Sequence, residues 1–313
     1  MAAAIPTTEG TIPFDAPNAG KAAETWYKIV GSLDSPSPPL IALHGGPGAG
    51  HGYLASLTDL NKKYNIPIIF YDQVGCGKST HFREKMGDTS FWTFELFYAE
   101  LDNLVDSLQL REKGFYLLGQ SWGGVLAGAY ASGTSAVGLK KLVIASGPAS
   151  IPLYVKGCQQ LLSQLPEDVR KVIEDCDRRG DHESPEFEKA AAVFYGRHVC
   201  RLDPYPHDVA SAFVNLKDDP TSYLTIQGPS EFVIIGSIRD WEGWQDAHKI
   251  KVETLLLNGR YDEVTDISME PWFRHIPRVR WVTLENSSHM GHYEDRERYM
   301  EVAGRFLSGT APE

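Results

Sequence analysis

Ser121, an acid near residue 262 and His289 occur in this chain in that order, each just past a short strand-like run. Ser121 follows residues 115–118, Asp262 follows 252–257, and His289 follows 279–284. A serine hydroxyl is a weak nucleophile at neutral pH until a base takes its proton. A histidine oriented by an acid is the base that this combination supplies. The three residue types, spaced as loops at strand ends would space them, point to acyl transfer through a covalent serine intermediate.

The elements that must position them can be read outward from Ser121. The apolar run 115–118 is a strand that leads into Gly119-Gln120-Ser121-Trp122-Gly123, and a helix-compatible run, 125–131, follows Gly124 at once. A serine on a tight strand-to-helix turn projects its hydroxyl clear of the sheet, and the crowded turn requires small neighbours on both sides. The helix that starts there aims free backbone N–H groups at any oxyanion formed beside the serine. Upstream, a strand at 40–43 runs into His44-Gly45-Gly46-Pro47-Gly48, where the glycines indicate close backbone approach or positive φ. A loop in that place can donate a second oxyanion N–H.

The stretch Asp72-Gln-Val-Gly-Cys-Gly-Lys-Ser79 resembles a phosphate loop, but Asp72 stands where that motif needs glycine. It reads instead as a turn supporting its neighbours, with Cys76 as a packing residue. Apolar residues from Phe94 to Leu108 recur at helical spacing, and 139–145 is another buried strand. Strand and helix alternate as in a parallel, doubly wound sheet. From about residue 149 to 248 the strands give way to short charged helical patterns, at 155–165, 167–178 and 185–198, and the strand pattern then resumes. The expected organisation is a first core part (1–148), a helical cap insertion (149–248) and a second core part (249–313). The cap fits in the gap between Ser121 and Asp262.

Among the acids, Asp262 is placed best, with Glu263 as its competitor and Asp266 and Glu285 less well placed. His289 is preferred over His292 because it comes first after its strand. The H-x-x-H pair invites a metal reading that no carboxylate-histidine motif supports.

His44-Gly-Gly-Pro-Gly48, Asp72-Gln-x-Gly-x-Gly-x-Ser79, Gly119-Gln-Ser-Trp-Gly-Gly124, Gly228-Pro-Ser-Glu-Phe232, Gly259-Arg-Tyr-Asp-Glu263 and Ser288-His-Met290 together resemble the proline iminopeptidases. These are serine aminopeptidases of the α/β-hydrolase fold with a helical cap, and the resemblance runs from about residue 25 to the C-terminus. It implies Ser121 as nucleophile, Asp262 as orienting acid and His289 as base, with the backbone N–H groups of Gly46 and Trp122 as oxyanion donors. It further implies that Glu231 and Glu263 hold a protonated substrate N-terminus, and that Gly45 and Phe232 lie against the substrate. Trp122, Phe232 and Trp241 are candidates for an apolar wall or for cap packing. Val74 departs from the family's D-Q-R-G pattern. The implied activity is release of an N-terminal residue, proline foremost, from a small peptide or amide with a free amino group, without cofactor or metal. An amino-acid amidase, or an ester or lactone hydrolase with the same triad, is the alternative. A non-catalytic ligand-binding protein of the same fold is a more distant one.

Composition is that expected of a soluble globular protein. The 313 residues are 42% hydrophobic and 23% charged, and a net charge of −11 argues against a nucleic-acid surface. No run of about 18 apolar residues suggests a membrane span. Cysteines 76, 158, 176 and 200 form no C-x-x-C pair. Reduced thiols and a cytoplasmic location are expected.

Overall fold

A computed structural model describes residues 5–133 and 136–310. Its strands are β1 (Thr7–Phe14), β2 (Ala23–Val30), β3 (Leu40–Leu43), β4 (Ile68–Tyr71), β5 (Phe115–Gln120), β6 (Leu139–Ala145), β7 (Glu253–Gly259) and β8 (Val279–Leu284). They join in one sheet of order β1-β2-β4-β3-β5-β6-β7-β8. β2 is antiparallel to both β1 and β4, and every later pairing is parallel. All residues of β3, β4 and β5 are buried, which is why these runs are continuously apolar rather than alternating. The order expected for a doubly wound sheet is therefore present, in the arrangement of an α/β hydrolase.

β1 is an addition to the elements expected from sequence. It pairs only with β2, exposes most of its length and contains Pro13, so it lacks the apolar signal of an inner strand.

Helices α1 (Thr58–Tyr64), α2 (Phe94–Ser107), α3 (Leu110–Lys113) and α4 (Trp122–Ser132) belong to the first half of the sheet. Between β6 and β7 come α5 (Ile151–Leu162), α6 (Glu167–Arg179), α7 (Pro185–His198), α8 (His207–Asp218) and α9 (Thr221–Ile226). The chain closes with α10 (Asp266–His275), α11 (Gly291–Glu294) and α12 (Arg296–Ser308). α5 begins four residues before the expected start, because the Ser150 side chain accepts from Leu153 N and Pro152 occupies the first turn. α7 matches its expected span, with Ser184 capping Phe187 N.

Strand side chains alternate between two buried clusters, one on each face of the sheet. Ile41, Leu117 and Ile144 pack with Leu101 of α2 and Leu126 of α4. Leu40, Leu118 and Val143 pack with Leu60 of α1 and Met300 of α12. This two-sided core fixes the strand ends on which the functional side chains stand. The β3–β4 exchange in the order makes β3 and β5 neighbours, with Leu43 paired to Gly119, so the loops leaving both strands open side by side. No described helix is long and apolar enough to cross a membrane.

Candidate active site

Ser121 joins β5 to α4 at φ 57° and ψ −126°, a conformation that costs a non-glycine residue on the order of 1–3 kcal/mol. The surrounding backbone over-determines it. Ser121 N donates to Ala145 O at 3.0 Å, and its carbonyl accepts from Gly124 N at 2.7 Å and Val125 N at 3.1 Å. A Cβ on Gly119 would run into the Gly123 carbonyl, and one on Gly123 into the Leu43 carbonyl. The glycine spacing seen in the sequence is thus a packing requirement between β3, β5 and α4.

The loop after β3 lies against this turn. Gly46 has φ 106° and lines the same cavity as Ser121. Neither Gly46 N nor Trp122 N has a hydrogen-bond acceptor among the described residues. Gly45 differs from its expected place against the substrate. Its N–H donates to Tyr53 Oη at 2.6 Å, and a Cβ there would lie 2.8 Å from Ser121 Cβ, so it backs the serine rather than facing the cavity.

Behind the loop runs a hydrogen-bond chain that sequence reasoning missed. Tyr53 Oη donates to Gln120 Oε1 at 2.5 Å, and Gln120 Nε2 donates to His289 O at 3.2 Å. Gln73 Nε2 donates to His44 O and Trp122 Nε1 donates to Gln73 Oε1, both at 3.0 Å. Gln73 belongs to the loop that looked like a phosphate site; the stretch instead ties the first glycine loop to the elbow. His44, Asp72 and Cys76 cluster there, but their polar atoms are engaged. His44 Nε2 accepts from Gln73 N at 3.0 Å, and Asp72 Oδ2 accepts from Lys78 N at 2.9 Å. Burial pulls His44 down to about 4, which keeps it neutral. Cys76 is fully buried and packs as expected, and its thiol is pushed well up, chiefly by burial.

Asp262 leaves β7 and is 2% exposed. Its Oδ1 accepts from His289 Nδ1 and from Val264 N, both at 2.8 Å, and its Oδ2 accepts from Ser146 Oγ at 2.6 Å. Ser146, at φ 47° just past β6, is a further residue that sequence reasoning missed, since a serine after a strand carries no signal of its partner. His289 lies at the cavity with Ser121, and no hydrogen bond joins the two side chains among the described residues. Burial would lower His289, but the adjacent Asp262, with Glu263 and Glu231 behind it, outweighs burial and raises the ring to about 9. His292 is buried, with Nε2 2.9 Å from Tyr53 O, and burial takes it to about 4. It is a packing residue.

Glu231 and Glu263 line the same cavity. Glu231 accepts from Tyr223 Oη at 2.8 Å and from Gln227 Nε2 at 3.2 Å. Glu263 Oε1 lies 3.8 Å from His289 Nε2, while Glu263 Oε2 is buried without a partner. Burial pushes both carboxyls up. Glu263 rises well above the usual range because Glu231 and Asp262 add to burial, against the opposing pull of His289.

The cavity measures about 770 Å³, and a narrow recess of about 20 Å³ beside Ser121 is bounded by Val125, Ile151, Tyr154, Ile238 and Val264. Phe232 does not line either space. It packs with Phe187, Phe194 and Tyr195 at ring separations of 5.1–6.2 Å, so its expected substrate contact is replaced by packing inside the helical segment. Trp241 likewise stacks on Phe94 at 5.5 Å. The end of α7 is stitched to the loops that carry Asp262 and His289: His198 O accepts from Glu263 N at 3.2 Å and His289 N at 3.3 Å, and Val199 O from Met290 N at 3.1 Å.

A family profile described as the alpha/beta hydrolase fold matches residues 38–296. The proline iminopeptidase of Saccharolobus solfataricus is 38% identical over 90% of this chain and 87% of its own length. That of Thermoplasma volcanium is 36% identical over 90% and 92%. Among solved structures, VinJ superposes with a TM-score of 0.92 at 40% identity, over 97% of this chain and 99% of its own. The Mycobacterium smegmatis proline iminopeptidase superposes with a TM-score of 0.87 at 35% identity, over 96% and 98%. With an elbow serine, an Asp-held histidine and similarity over nearly its whole length, this chain belongs to the proline iminopeptidase family of α/β hydrolases.

Proposed function

We propose that the protein is a serine aminopeptidase that releases an N-terminal residue, proline foremost, from small peptides or amides. Ser121 attacks the carbonyl while His289 takes its proton and Asp262 holds the imidazole. The N–H groups of Gly46 and Trp122 stabilise the tetrahedral oxyanion; one such donor is worth about 3–4 kcal/mol in the transition state. His289 then protonates the leaving amine, and water frees the acyl group. The helical segment, 149–248, acts as a cap over the two core parts, 1–148 and 249–313. Four unpaired cysteines favour the cytoplasm as its compartment.

The observation that carries this reading is the pair Glu231 and Glu263 on the cavity of Ser121. No lysine or arginine is paired with either among the described residues. Carboxylates so placed anchor an ammonium by charge-assisted hydrogen bonds. The recess beside Ser121 is walled by Val125, Ile151, Ile238 and Val264, an apolar lining of the kind a proline ring would meet. The test is hydrolysis of proline p-nitroanilide beside its N-acetyl form, with Ser121→Ala as control. The free-amine compound should be cleaved at least a hundredfold faster, and Ser121→Ala should be inactive while folded. Equal cleavage of both compounds would remove the amine anchor, and turnover by Ser121→Ala would remove the nucleophile.

A further inference from the structure

Three ionisable groups, Glu231, Glu263 and His289, line the cavity, and a fourth, Asp262, stands against the His289 ring. Asp262 and Glu263 come from the loop after β7, His289 from the loop after β8, and Glu231 from the segment between β6 and β7. The imidazole lies between two carboxylates, with Nδ1 2.8 Å from Asp262 Oδ1 and Nε2 3.8 Å from Glu263 Oε1. Glu263 is 1% exposed, and its second oxygen has no donor. Among the described residues, the other groups facing this cluster bring no positive charge to it. Tyr53, Tyr154, Tyr195 and Tyr223 are phenols that burial pushes far up, and burial pushes the Cys158 thiol up as well. Burial holds His292 neutral and lowers His198. Lys217 lines the cavity but pairs with neither glutamate.

A buried carboxylate that has no fixed cation beside it, and only the Tyr154 hydroxyl to donate to it, is strongly disfavoured. Among the described residues, the one cation within reach of Glu263 in the empty site is the proton on His289, which Glu263, its own proton affinity raised by burial and by Glu231, shares with the imidazole. We propose that Glu263 makes His289 a base only when an amine is bound: Glu263 and Asp262 together keep the imidazole as imidazolium, and the substrate ammonium replaces it as counter-ion and sends that proton to water. This rests on the aminopeptidase reading above. In balance, imidazolium and free ammonium become neutral imidazole, bound ammonium and one proton carried off by buffer. Only the Nε2–H bond breaks, and the Nε2 lone pair it leaves accepts the Ser121 proton during acylation.

The direction of the His289 shift agrees. Burial opposes the charged ring, yet the surrounding carboxylates raise it to about 9. At pH 7 such a group is in its basic form in about one molecule in a hundred. An N-blocked substrate therefore loses more than an anchor, because it meets a protonated base and is penalised in kcat as well as KM.

The test uses Ser121→Ala protein labelled with ¹⁵N-histidine, in which L-prolinamide binds without being cleaved. The His289 ring signals are identified by their loss in Ser121→Ala/His289→Asn. The expected midpoint of His289 is near pH 9 in the empty protein and at least one pH unit lower with saturating prolinamide. Calorimetry near pH 7, in buffers of differing ionisation heat, should show close to one proton released per prolinamide bound. Glu263→Gln should lower the midpoint of the empty protein and largely abolish the response to prolinamide. A midpoint near 6.5 in the empty protein overturns the proposal. So does prolinamide that binds by calorimetry but leaves the midpoint and proton count unchanged, an outcome that spares the amine anchor. Failure of prolinamide to bind overturns both. The prolinamide titration decides the matter even if Glu263→Gln does not fold.

Discussion

Glu100 of α2 is fully buried beneath the loop after β4, accepting from Thr25 Oγ1 at 2.6 Å and from Val74 N at 3.0 Å. Burial, with Asp72 adding to it, outweighs these donors and raises its carboxyl from 4.5 to about 8. The folded state holds this proton where the unfolded chain has released it, so the group favours folding most below pH 4.5. That contribution is lost as pH rises towards 8, by about 1.4 kcal/mol per pH unit. Glu100→Gln removes the titration, so the fall in melting temperature between pH 5 and 8 should be clearly smaller in the variant, measured by thermal denaturation. An unchanged slope would mean that Glu100 is ionised in the folded protein. Val74, which stands in place of the family's arginine, is buried above Glu100, so this carboxyl has only neutral donors. At this scale the sequence singled out Ser121, Asp262 and His289 as candidates because acyl transfer demands set types at strand ends, and the fold brings Ser121 and His289 to one cavity with Asp262 bonded to the ring. Tyr53, Gln73 and Ser146 stayed hidden, since their roles arise from partners 67, 49 and 116 residues away. Gly45 and Phe232 were assigned to the substrate because a motif gives proximity to a site but not the direction a group faces.

Elements were legible where burial was two-sided. β3 to β7 carry continuous or nearly continuous apolar runs, whereas the edge strands β1 and β8 are largely exposed or half-buried, and α8 and α9 are too short or too mixed to stand out. The elbow shows how tightly one element constrains another. Gly123 sits where any Cβ collides with the β3 backbone, so Gly123→Ala should destabilise by about 3 kcal/mol or more, judged from the usual 1–3 kcal/mol cost of overpacking and the rigidity of backbone atoms. Gly196 in α7 is the control: a Cβ there meets nothing within 4 Å. Gly196→Ala should stabilise by about 0.5–1 kcal/mol through helix propensity. Urea denaturation of both variants measures the difference, and equal effects would contradict the elbow packing.

Across the whole molecule, the segment between β6 and β7 is fastened to the sheet side at separate points. His81 Nδ1 is 2.5 Å from Asp219 Oδ2, Arg83 donates to Asp218 at 2.9 Å, and Asn215 donates to Ala49 O at 2.8 Å. Asp219 is 1% exposed, and although burial opposes its charge, Thr221 and His81 hold its carboxyl below the usual range. Asp219→Asn should cost about 1–3 kcal/mol, the loss expected for a buried charge-assisted bond. It should also raise KM severalfold while kcat changes little, and speed proteolysis within residues 207–226. An unaltered KM and cleavage pattern would show that this contact does not govern the cap. The change of texture after residue 149 revealed this segment in the sequence, but its fastenings depend on side chains that only the folded chain brings together. The stitching of α7 to the loops of Asp262 and His289 has a consequence for protein engineering and for descent. Specificity in this scaffold is not a detachable cassette: a chimera that imports a foreign segment also replaces the carbonyls of residues 198 and 199, on which the backbones of Glu263, His289 and Met290 rest. New substrates are thus reached more readily by point changes around the recess than by exchange of the segment, and grafts need their last α7 turn matched to the recipient's loops.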